Sequence, residues 1–410
     1  MNANHPLTHQ SPQASVIPMP DRQASWSRVN VSWVTPINVR NTIERLLEVA
    51  RNGLPQMLSD GGFAQTLRGI QSRSGLVLQL EGTNLRYSAI VALGAAYLDE
   101  ARQRDILGGS TAVEFVEKLL AWAEASSDLG ALALTAWAAA EIAERDAESI
   151  FRRLEAAYME DVSLSTVECA WTLTAALAAR FIGDTRALQS MAAERLRTAQ
   201  RPSGLFPHIV SPQGGAQLRG HVGSFADQVY PIQALSRLAA ASGDRSALEA
   251  AEACASVICR HQGISGQWWW HYDIRTGDVV EGYPVYSVHQ HAMAPMVLFE
   301  LLEAGGMDYR SQIVRGLRWF EGRPEVNLDL ISEEHGVIWR KVGRREPGKA
   351  VRSISAITTA LSPGAHIPGL DRIFPPREVD YECRPYELGW ILYAWLSGGV
   401  VKDLSSFNRA

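Results

Sequence analysis

The 410-residue chain is poor in cysteine and has no excess of basic charge. The first feature argues against a cysteine-based zinc site, and the second argues against nucleic-acid binding. The four cysteines, Cys169, Cys254, Cys259 and Cys383, form no CxxC pair. The usual zinc-ligand spacing is therefore missing, and buried, reduced thiols are expected. The net charge is −5, so the chain has no excess of Lys and Arg to bind the phosphates of a nucleic acid, and a nucleic-acid partner is not expected. We predict a cytoplasmic protein that uses no metal and no organic cofactor.

Long apolar runs and several catalytic motifs are also missing. The Ala/Leu runs at 130–142 and 170–179 are too short and too amphipathic to cross a bilayer. The proline-rich segment 1–36 lacks the apolar core of a signal peptide. No GxxxxGK[ST] loop, HExxH or GxSxG occurs, which removes support for nucleotide, zinc-protease and serine-hydrolase chemistry.

The chain is organised as one helical domain between two tails. Residues 1–36 are predicted to be disordered or loosely draped, residues 37–400 to form one domain, and residues 401–410 to form a C-terminal tail. Apolar residues recur at a helical period from residue 37 onward, with one helix predicted over 84–104. Short strand signals occur only near 268–272, 278–281 and 336–342.

Two classes of helix alternate along this domain. One class is more charged, as in Arg186–Arg197 and Arg245–Arg260. The other is rich in Ala, Gly, Trp and Tyr, and its members are Asn84–Leu98, Asp128–Ile142, Ser163–Ala179, Ser224–Ala239, Tyr286–Leu302 and Cys383–Leu396. This alternation predicts an all-α fold, an (α/α) toroid of about six helical hairpins with a few short β-hairpin insertions. The apolar helices would form the inner ring and the charged helices the outer wall.

A second repeat lies in the linkers ahead of apolar helices. It reads Gln, three residues, Gly, and occurs at Gln71–Gly75, Gln200–Gly204 and Gln262–Gly266, with an aromatic residue two positions later in the last two copies. These copies resemble the repeat of prenyltransferases and squalene cyclases, which are α/α toroids. The stretch from Gly204 to His208, followed by Gly223 to Tyr230, resembles six-hairpin glycosidases and related sugar epimerases and lyases. The resemblance implies a toroid with carbohydrate chemistry.

The densest polar and aromatic segment runs from Trp268 to Asp273. In an extended conformation Trp268, Trp270 and Tyr272 face one way, while Trp269, His271 and Asp273 face the other. Sugar sites combine flat aromatic faces with groups that bind hydroxyls or move protons. The tryptophans would then form stacking subsites. The alternative is that they pack between the two rings.

Two further candidates lie where apolar helices begin. His289 and His291 are two residues apart, so they point in different directions on a helix and do not suit one metal ion. A neutral imidazole is favoured in the first turn of a helix. Asp227 follows the presumed cap Ser224 by three residues, and it either completes a capping box or faces the mouth of the toroid.

Other polar residues precede or open apolar helices and could bind a substrate. Pro385 suits the first helical position, which places Arg384 at the cap, where a cation needs a ligand or an ion pair. Glu168 lies in an apolar run and is therefore expected to be paired or functional. The remaining candidates of this kind are Glu81, Arg86, His208, His221, Tyr230, His291, Glu382 and Tyr386.

Three functions fit this sequence. The first is a carbohydrate-active enzyme (glycosidase, lyase or epimerase) that acts on a small molecule or oligosaccharide. Its acids and bases would be Asp227, Asp273, His271 and His289, with Asp227 within about 10 Å of one of the others. The second is a terpenoid-cyclase-like toroid with a sealed apolar cavity, although no Asp-x-Asp-Asp or Asp-Asp-x-x-Asp occurs. The third is a non-catalytic toroid that binds a glycan or a protein.

Overall fold

The computed structural model describes residue 28 and the ranges 37–73, 75–210 and 219–401, together with residue 404. In chain order the helices are α1 (Ile37–Gly53), α2 (Leu85–Ala95), α3 (Glu100–Ile106), α4 (Ala112–Glu124), α5 (Leu129–Ala143), α6 (Glu148–Met159), α7 (Thr166–Ala178), α8 (Arg186–Ala199), α9 (Phe225–Ser242), α10 (Arg245–Arg260), α11 (Ala294–Glu303), α12 (Arg310–Gly322), α13 (Ala350–Leu361), α14 (Leu370–Ile373) and α15 (Pro385–Leu396). A π-helical turn (His289–Met293) leads into α11, and two 3₁₀ turns cover Leu54–Met57 and Pro347–Lys349.

The strands are short apart from one hairpin. They are β1 (Leu58–Ser59), β2 (Gly62–Ser72), β3 (Gly75–Thr83), β4 (Leu164–Ser165), β5 (Ile209–Val210), β6 (Val222–Ser224), β7 (His271–Asp273), β8 (Val279–Glu281), β9 (Val285–Tyr286), β10 (Ile331–Ser332), β11 (Val337–Ile338), β12 (Lys341–Gly343), β13 (Glu378–Asp380) and β14 (Glu382–Cys383). All the pairings within the described residues are antiparallel.

Six apolar helices close into an inner ring. The order around the ring is α2, α5, α7, α9, α11 and α15, and α15 packs against α2. The inner helix α5 is buried on all sides, from Gly130 to Ala140. The outer helix α10 buries only one face, which includes Ala247, Ala251 and Cys254. The predicted (α/α) toroid is therefore confirmed, because the all-apolar helices lie inside and the amphipathic ones cover them.

The hairpin β2–β3 was not predicted, and it joins the two ends of the ring. Strand β2 also pairs with β14, which places Arg68 opposite Glu382 and Leu67 opposite Cys383. The single helix predicted over 84–104 is divided into α2 and α3. The division occurs because the Asp99 side chain accepts a hydrogen bond from the Arg102 amide and caps a new helix.

A buried ion network fills the centre of the ring. The Arg237 guanidinium donates to Glu300 at 2.7 and 3.1 Å, to Glu141 at 3.1 Å and to the Tyr393 hydroxyl. It also lies 4.8 Å from the centre of the Trp137 ring. These residues belong to α5, α9, α11 and α15. One side chain thus ties four of the six inner helices together.

The Gln-xxx-Gly pattern ties outer helices together in two of its three copies. Gln200 donates to the Gly204 and Ala250 carbonyls at 2.9 and 2.8 Å. Gln262 donates to the Gly266 and Gln312 carbonyls at 3.0 and 2.9 Å. In both copies the second carbonyl belongs to the next outer helix. The Gln71 copy instead lies in the exposed β2–β3 turn, so the prenyltransferase-like interpretation of a three-copy repeat is not supported.

The predicted N-terminal tail lies outside the described residues, except for Arg28. That side chain is 2% exposed, and it pairs with Glu303 at 3.0 Å and donates to the Ala394 carbonyl at 2.9 Å. All four cysteines are buried and unpaired, as predicted. Within the described ranges, no helix combines the length and low polarity needed to cross a membrane.

Replacing Arg237 should test the central network. Arg237→Met leaves two buried carboxylates, those of Glu141 and Glu300, without their cation, so the free energy of unfolding should fall by about 3–5 kcal/mol. Arg245→Ala is the control, because that side chain is 90% exposed and should change stability within error. Urea denaturation measures both. Equal stability of the two variants would contradict a central role for Arg237.

Candidate active site

The inner helices begin with capped turns, and the residues of those turns contact one another. The side chains of Asn84, Asp128, Ser165 and Ser224 cap α2, α5, α7 and α9. The residue three positions after each cap is buried or half-buried, and in α7 and α9 it is the acid of a capping box, Glu168 or Asp227. Neighbouring helix starts are cross-linked by side chains, so their N-terminal ends form one mouth.

Arg86 of α2 links three adjacent helix starts. Its Nε donates to Asp128 at 2.7 Å and its Nη2 donates to Glu168 at 2.9 Å. The guanidinium also lies 5.7 Å from the centre of the Trp171 ring. Below it, Trp171, Tyr230 and Trp390 pack on one another, and the Tyr230 hydroxyl accepts from the Trp390 Nε1 at 3.0 Å. We call these three residues the aromatic floor of the mouth.

His208 and Asp227 form a dyad at the start of α9. Nδ1 of His208 lies 3.1 Å from both Asp227 carboxylate oxygens, and the histidine side chain is 63% exposed while Asp227 is fully buried. Asp227 also accepts from the Ser224 amide and hydroxyl at 2.8 and 2.7 Å. The hydrogen bond and charge of Asp227 raise the pKa of His208, with a smaller contribution from the charge of Glu168. The capping role of Asp227 is thus confirmed, and the same carboxylate orients an exposed imidazole.

The seam between the first and last hairpins carries a second polar cluster. Glu382 accepts from Arg68 at 2.9 Å, from Arg384 at 3.3 Å and from Arg340 at 3.4 Å. Arg68 also binds Glu81 at 2.6 Å. Arg384 is the cap residue of α15 and donates to the Tyr87 hydroxyl at 3.0 Å. The predicted ion pairing of a cation at this cap is therefore confirmed.

Two more predicted residues complete this side of the mouth. The Tyr386 ring packs against the Tyr87 ring at 4.7 Å. Glu387, three positions after the Arg384 cap, is fully buried, and neither carboxylate oxygen accepts a hydrogen bond. Its nearest cation is Arg340, whose Nε is 3.3 Å away. Burial raises the pKa of Glu387 to about 8, so the carboxyl is mostly protonated at neutral pH.

His271 and His289 lie on the fourth side of the mouth. The pairing of β6 with β7 places His271 opposite Ser224, and the His271 ring stacks on Trp270 at 4.2 Å. His289 packs between Phe225, at 4.4 Å, and Tyr286, at 5.1 Å. Burial lowers the pKa of His289 to about 3 and also lowers that of His271. Both imidazoles are therefore neutral at neutral pH.

Several predicted site residues lie elsewhere. Trp268 is fully buried against Phe225, and the Trp269 indole donates to the His261 carbonyl at 2.8 Å. Because only Trp270 stacks beside the mouth histidines, the three tryptophans do not form one stacking platform. His221 bonds Thr359 of α13, Asp273 is paired with Arg275, and His291 packs against Phe320 of α12. As predicted, His289 and His291 point in different directions.

Sequence reasoning missed the residues that the long insertion between α12 and α15 brings to the site. Arg340 lies over the Tyr286 ring at 4.8 Å, and Arg352 lies over the Trp270 ring at 4.0 Å. The sequence predicts a strand signal near Arg340 and a helix near Arg352, but no local pattern places either side chain beside the mouth. Glu387 lies three positions after its cap residue, as Glu168 and Asp227 do, but that cap residue is Arg384, whose side chain cannot accept a hydrogen bond from the Glu387 amide.

The described residues form two sizeable cavities outside the central ring. One of about 810 Å³ lies on the outer wall between α6 and α8 and borders β5. The other, of about 540 Å³, lies beneath the insertion, between β8 and α14. Within the described residues, no group of three or more His, Cys, Asp and Glu side chains has a metal-binding arrangement.

Comparisons with known proteins show the fold. No protein-family model matches the chain, and no curated protein matches it. An unsaturated glucuronyl hydrolase from Bacillus sp. GL1 that degrades glycosaminoglycan superposes with a TM-score of 0.56 at 14% identity, covering 90% of this chain and 98% of that one. An unsaturated glucuronyl hydrolase specific for heparin superposes with a TM-score of 0.54 at 11% identity, and the superposition covers 91% of this chain and 98% of that one. A variant of the unsaturated glucuronyl hydrolase from Streptococcus agalactiae, in complex with dGlcA-GalNAc6S, superposes with a TM-score of 0.54 at 13% identity. That superposition covers 95% of this chain and 98% of that one.

Glu387 should make stability depend on pH. Its folded pKa of about 8 lies above its unfolded value of 4.5, so the folded state holds the proton longer and stability falls as the pH rises from about 5 to about 8. Glu387→Gln should therefore match the wild type at pH 5 and be more stable at pH 8.5, by about 4 kcal/mol.

Glu168→Gln is the matched control for this prediction, because Glu168 occupies the same position in α7. It loses an ion pair with Arg86, so it should lower stability at pH 8.5. Denaturant titration at the two pH values measures both variants. A destabilised Glu387→Gln at pH 8.5 would show that Glu387 is charged and well paired.

Proposed function

We propose that this protein is a carbohydrate-active enzyme of the glycosidase, lyase or epimerase type. The observation that carries the proposal is the His208–Asp227 dyad, an exposed imidazole that a buried carboxylate orients at the mouth of the ring. The overall likeness to unsaturated glucuronyl hydrolases, over about nine tenths of the chain, supports the same class of substrate. The partner is then an oligosaccharide.

The proposed acid–base group is His208. Its Nδ1 is held by Asp227, which leaves Nε2 to take or give a proton at a substrate oxygen or carbon. The raised pKa of His208 moves its titration towards neutral pH, where a group can exchange protons in both directions. Asp227 acts as a positioning residue in this proposal. Glu168, whose side chain is 20% exposed, is the nearest acid with access to the same space.

The proposed substrate carries a negative charge. Arg340 and Arg384 lie at the mouth and are only partly neutralised, because Glu382 is shared by several cations and Glu387 is mostly protonated. Arg86, by contrast, is paired with both Asp128 and Glu168. Arginine suits the planar carboxylate of an acidic sugar. The neutral imidazoles of His271 and His289 and the ring of Trp270 supply hydrogen bonds and an apolar face for the rest of the sugar. Asp273 has no part, since Arg275 engages both its oxygens.

The terpenoid-cyclase alternative needs a sealed apolar cavity inside the ring. That space is occupied by the Arg237 network and by the aromatic floor. The mouth above it is lined by charged side chains. Neither feature suits a carbocation held among aromatic faces, so we do not adopt this alternative. The non-catalytic alternative differs from our proposal only in turnover.

The acid–base proposal predicts the effect of one substitution. Oligosaccharides that end in saturated or unsaturated glucuronic acid are incubated with the protein, and product release is followed by chromatography. His208→Gln should reduce kcat by about 10²–10⁴-fold, the usual contribution of a general acid or base, without changing the melting temperature.

The control is His335→Gln, since the His335 side chain bonds Ser332 near the β10–β11 turn and its loss should leave kcat unchanged. Full activity in His208→Gln would refute the assignment of His208. Binding of these oligosaccharides by the wild type without any product would instead favour the non-catalytic toroid.

A further inference from the structure

The cavity beneath the insertion is lined by the charged side chains of Glu281 and Arg344, and each of them has a polar atom without a hydrogen-bond partner within the described residues. The Glu281 side chain is 3% exposed and the Arg344 side chain is 4% exposed. Oε2 of Glu281, Nε of Arg344 and Nε of Arg352 make no hydrogen bond within the described residues. Buried polar atoms normally have partners, so three such atoms together indicate that a ligand or water completes the arrangement.

These three side chains lie close together without hydrogen bonding to one another. Glu281 lies 3.7 Å from Arg344 Nε and 3.9 Å from Arg352 Nε, so the carboxylate approaches both guanidinium groups without hydrogen bonding to either. Arg344 is held in place on its other side, where it donates to the Phe374 carbonyl at 2.9 Å and pairs with Asp371 at 2.8 Å. The arginine therefore cannot turn to meet Glu281 without losing those contacts.

The chemistry of this arrangement selects a hydroxyl group. A hydroxyl can donate to a carboxylate oxygen and accept from a guanidinium N–H at the same time. A second carboxylate would lie against Glu281, and a cation would lie against Arg344 and Arg352. Trp269 and Val351 supply apolar walls, and the cavity volume of about 540 Å³ falls within the usual range of small-molecule sites, about 300–1,000 Å³.

We propose that this cavity is a second saccharide-binding site, in which Glu281 and Arg344 bind the hydroxyl groups of one sugar unit. The site is separate from the mouth but adjoins it. Glu281 lies opposite His271 in the β7–β8 pair, and Arg352 covers the Trp270 ring that stacks on His271. The inference goes beyond the proposed function, because binding here requires no turnover at the mouth.

Glucose is a suitable probe because it offers hydroxyl groups and no charge. Its binding to the full chain is measured by ligand-observed saturation-transfer NMR in a titration. Glu281→Gln replaces the acceptor by an amide that opposes the two arginines, and Ser355→Trp fills the cavity from α13. Both should weaken binding at least tenfold. Ser353→Trp is the matched control, since Ser353 lies on the exposed face of the same helix and should leave the affinity unchanged.

A mouth variant separates the two sites. Arg384→Ala should retain the wild-type affinity for glucose if the cavity is the binding site. Absence of binding to the wild type, undiminished binding in Glu281→Gln and Ser355→Trp, or loss of binding in Arg384→Ala would each overturn the proposal. Melting temperatures establish that each variant is folded. Glu281→Gln and Ser355→Trp test the cavity in independent ways, because the first replaces a carboxylate and the second adds volume. Neither result depends on enzymatic activity.

Discussion

The ion network around Arg237 is the constraint on which the rest of the ring depends. A guanidinium that is 1% exposed cannot stay charged in the protein interior without partners, and here α5, α11 and α15 supply them together. These inner helices must therefore pack so that the polar side chains that bind Arg237 lie at the same depth in the ring. The network also closes the centre of the toroid below the aromatic floor, so a solute that enters from the end where the inner helices begin cannot pass through the ring.

That open end collects charge for a physical reason. Exposed amides at helix N-termini favour carboxylates, and Asp128, Glu168 and Asp227 occupy such positions. One arginine, Arg86, belongs to the first turn of α2, and the others come from the strand β2, from the insertion and from the cap of α15. The mouth therefore combines acids in the first turns of inner helices with arginines, most of which come from other segments of the chain. Asp227 is fixed by its own helix start, and the one imidazole that it orients, His208, is left exposed.

Local patterns predicted the ring but not the contacts that pack against it. The apolar inner helices, the Ser224 cap and the position of Arg384 could be predicted from spacing alone, because caps and helix faces are local properties. The β2–β3 hairpin was missed, since its pairing with β14 joins residues more than 300 positions apart. The tryptophan cluster was also misleading: burial of Trp268 and the anchoring of Trp269 depend on Phe225 and on the His261 carbonyl, which no local pattern shows. Topology predicts that residues at the starts of inner helices, such as Glu81, Asp227 and Glu382, converge at the mouth, but it does not predict the role of any one of them. Asp273 and His291, which were expected there too, are engaged elsewhere by Arg275 and Phe320.

The central claim is that Asp227 acts through His208 in addition to capping α9. Its most direct test is the pH dependence of kcat/KM for Asp227→Asn, with the melting temperature measured alongside. The amide oxygen can still cap the helix, so stability should change little. Loss of the negative charge should lower the pKa of His208, because Asp227 is what raises it, and the limb of the profile that reports His208 should move to lower pH. An unchanged profile together with a lower melting temperature would contradict the account and leave Asp227 as a helix cap alone.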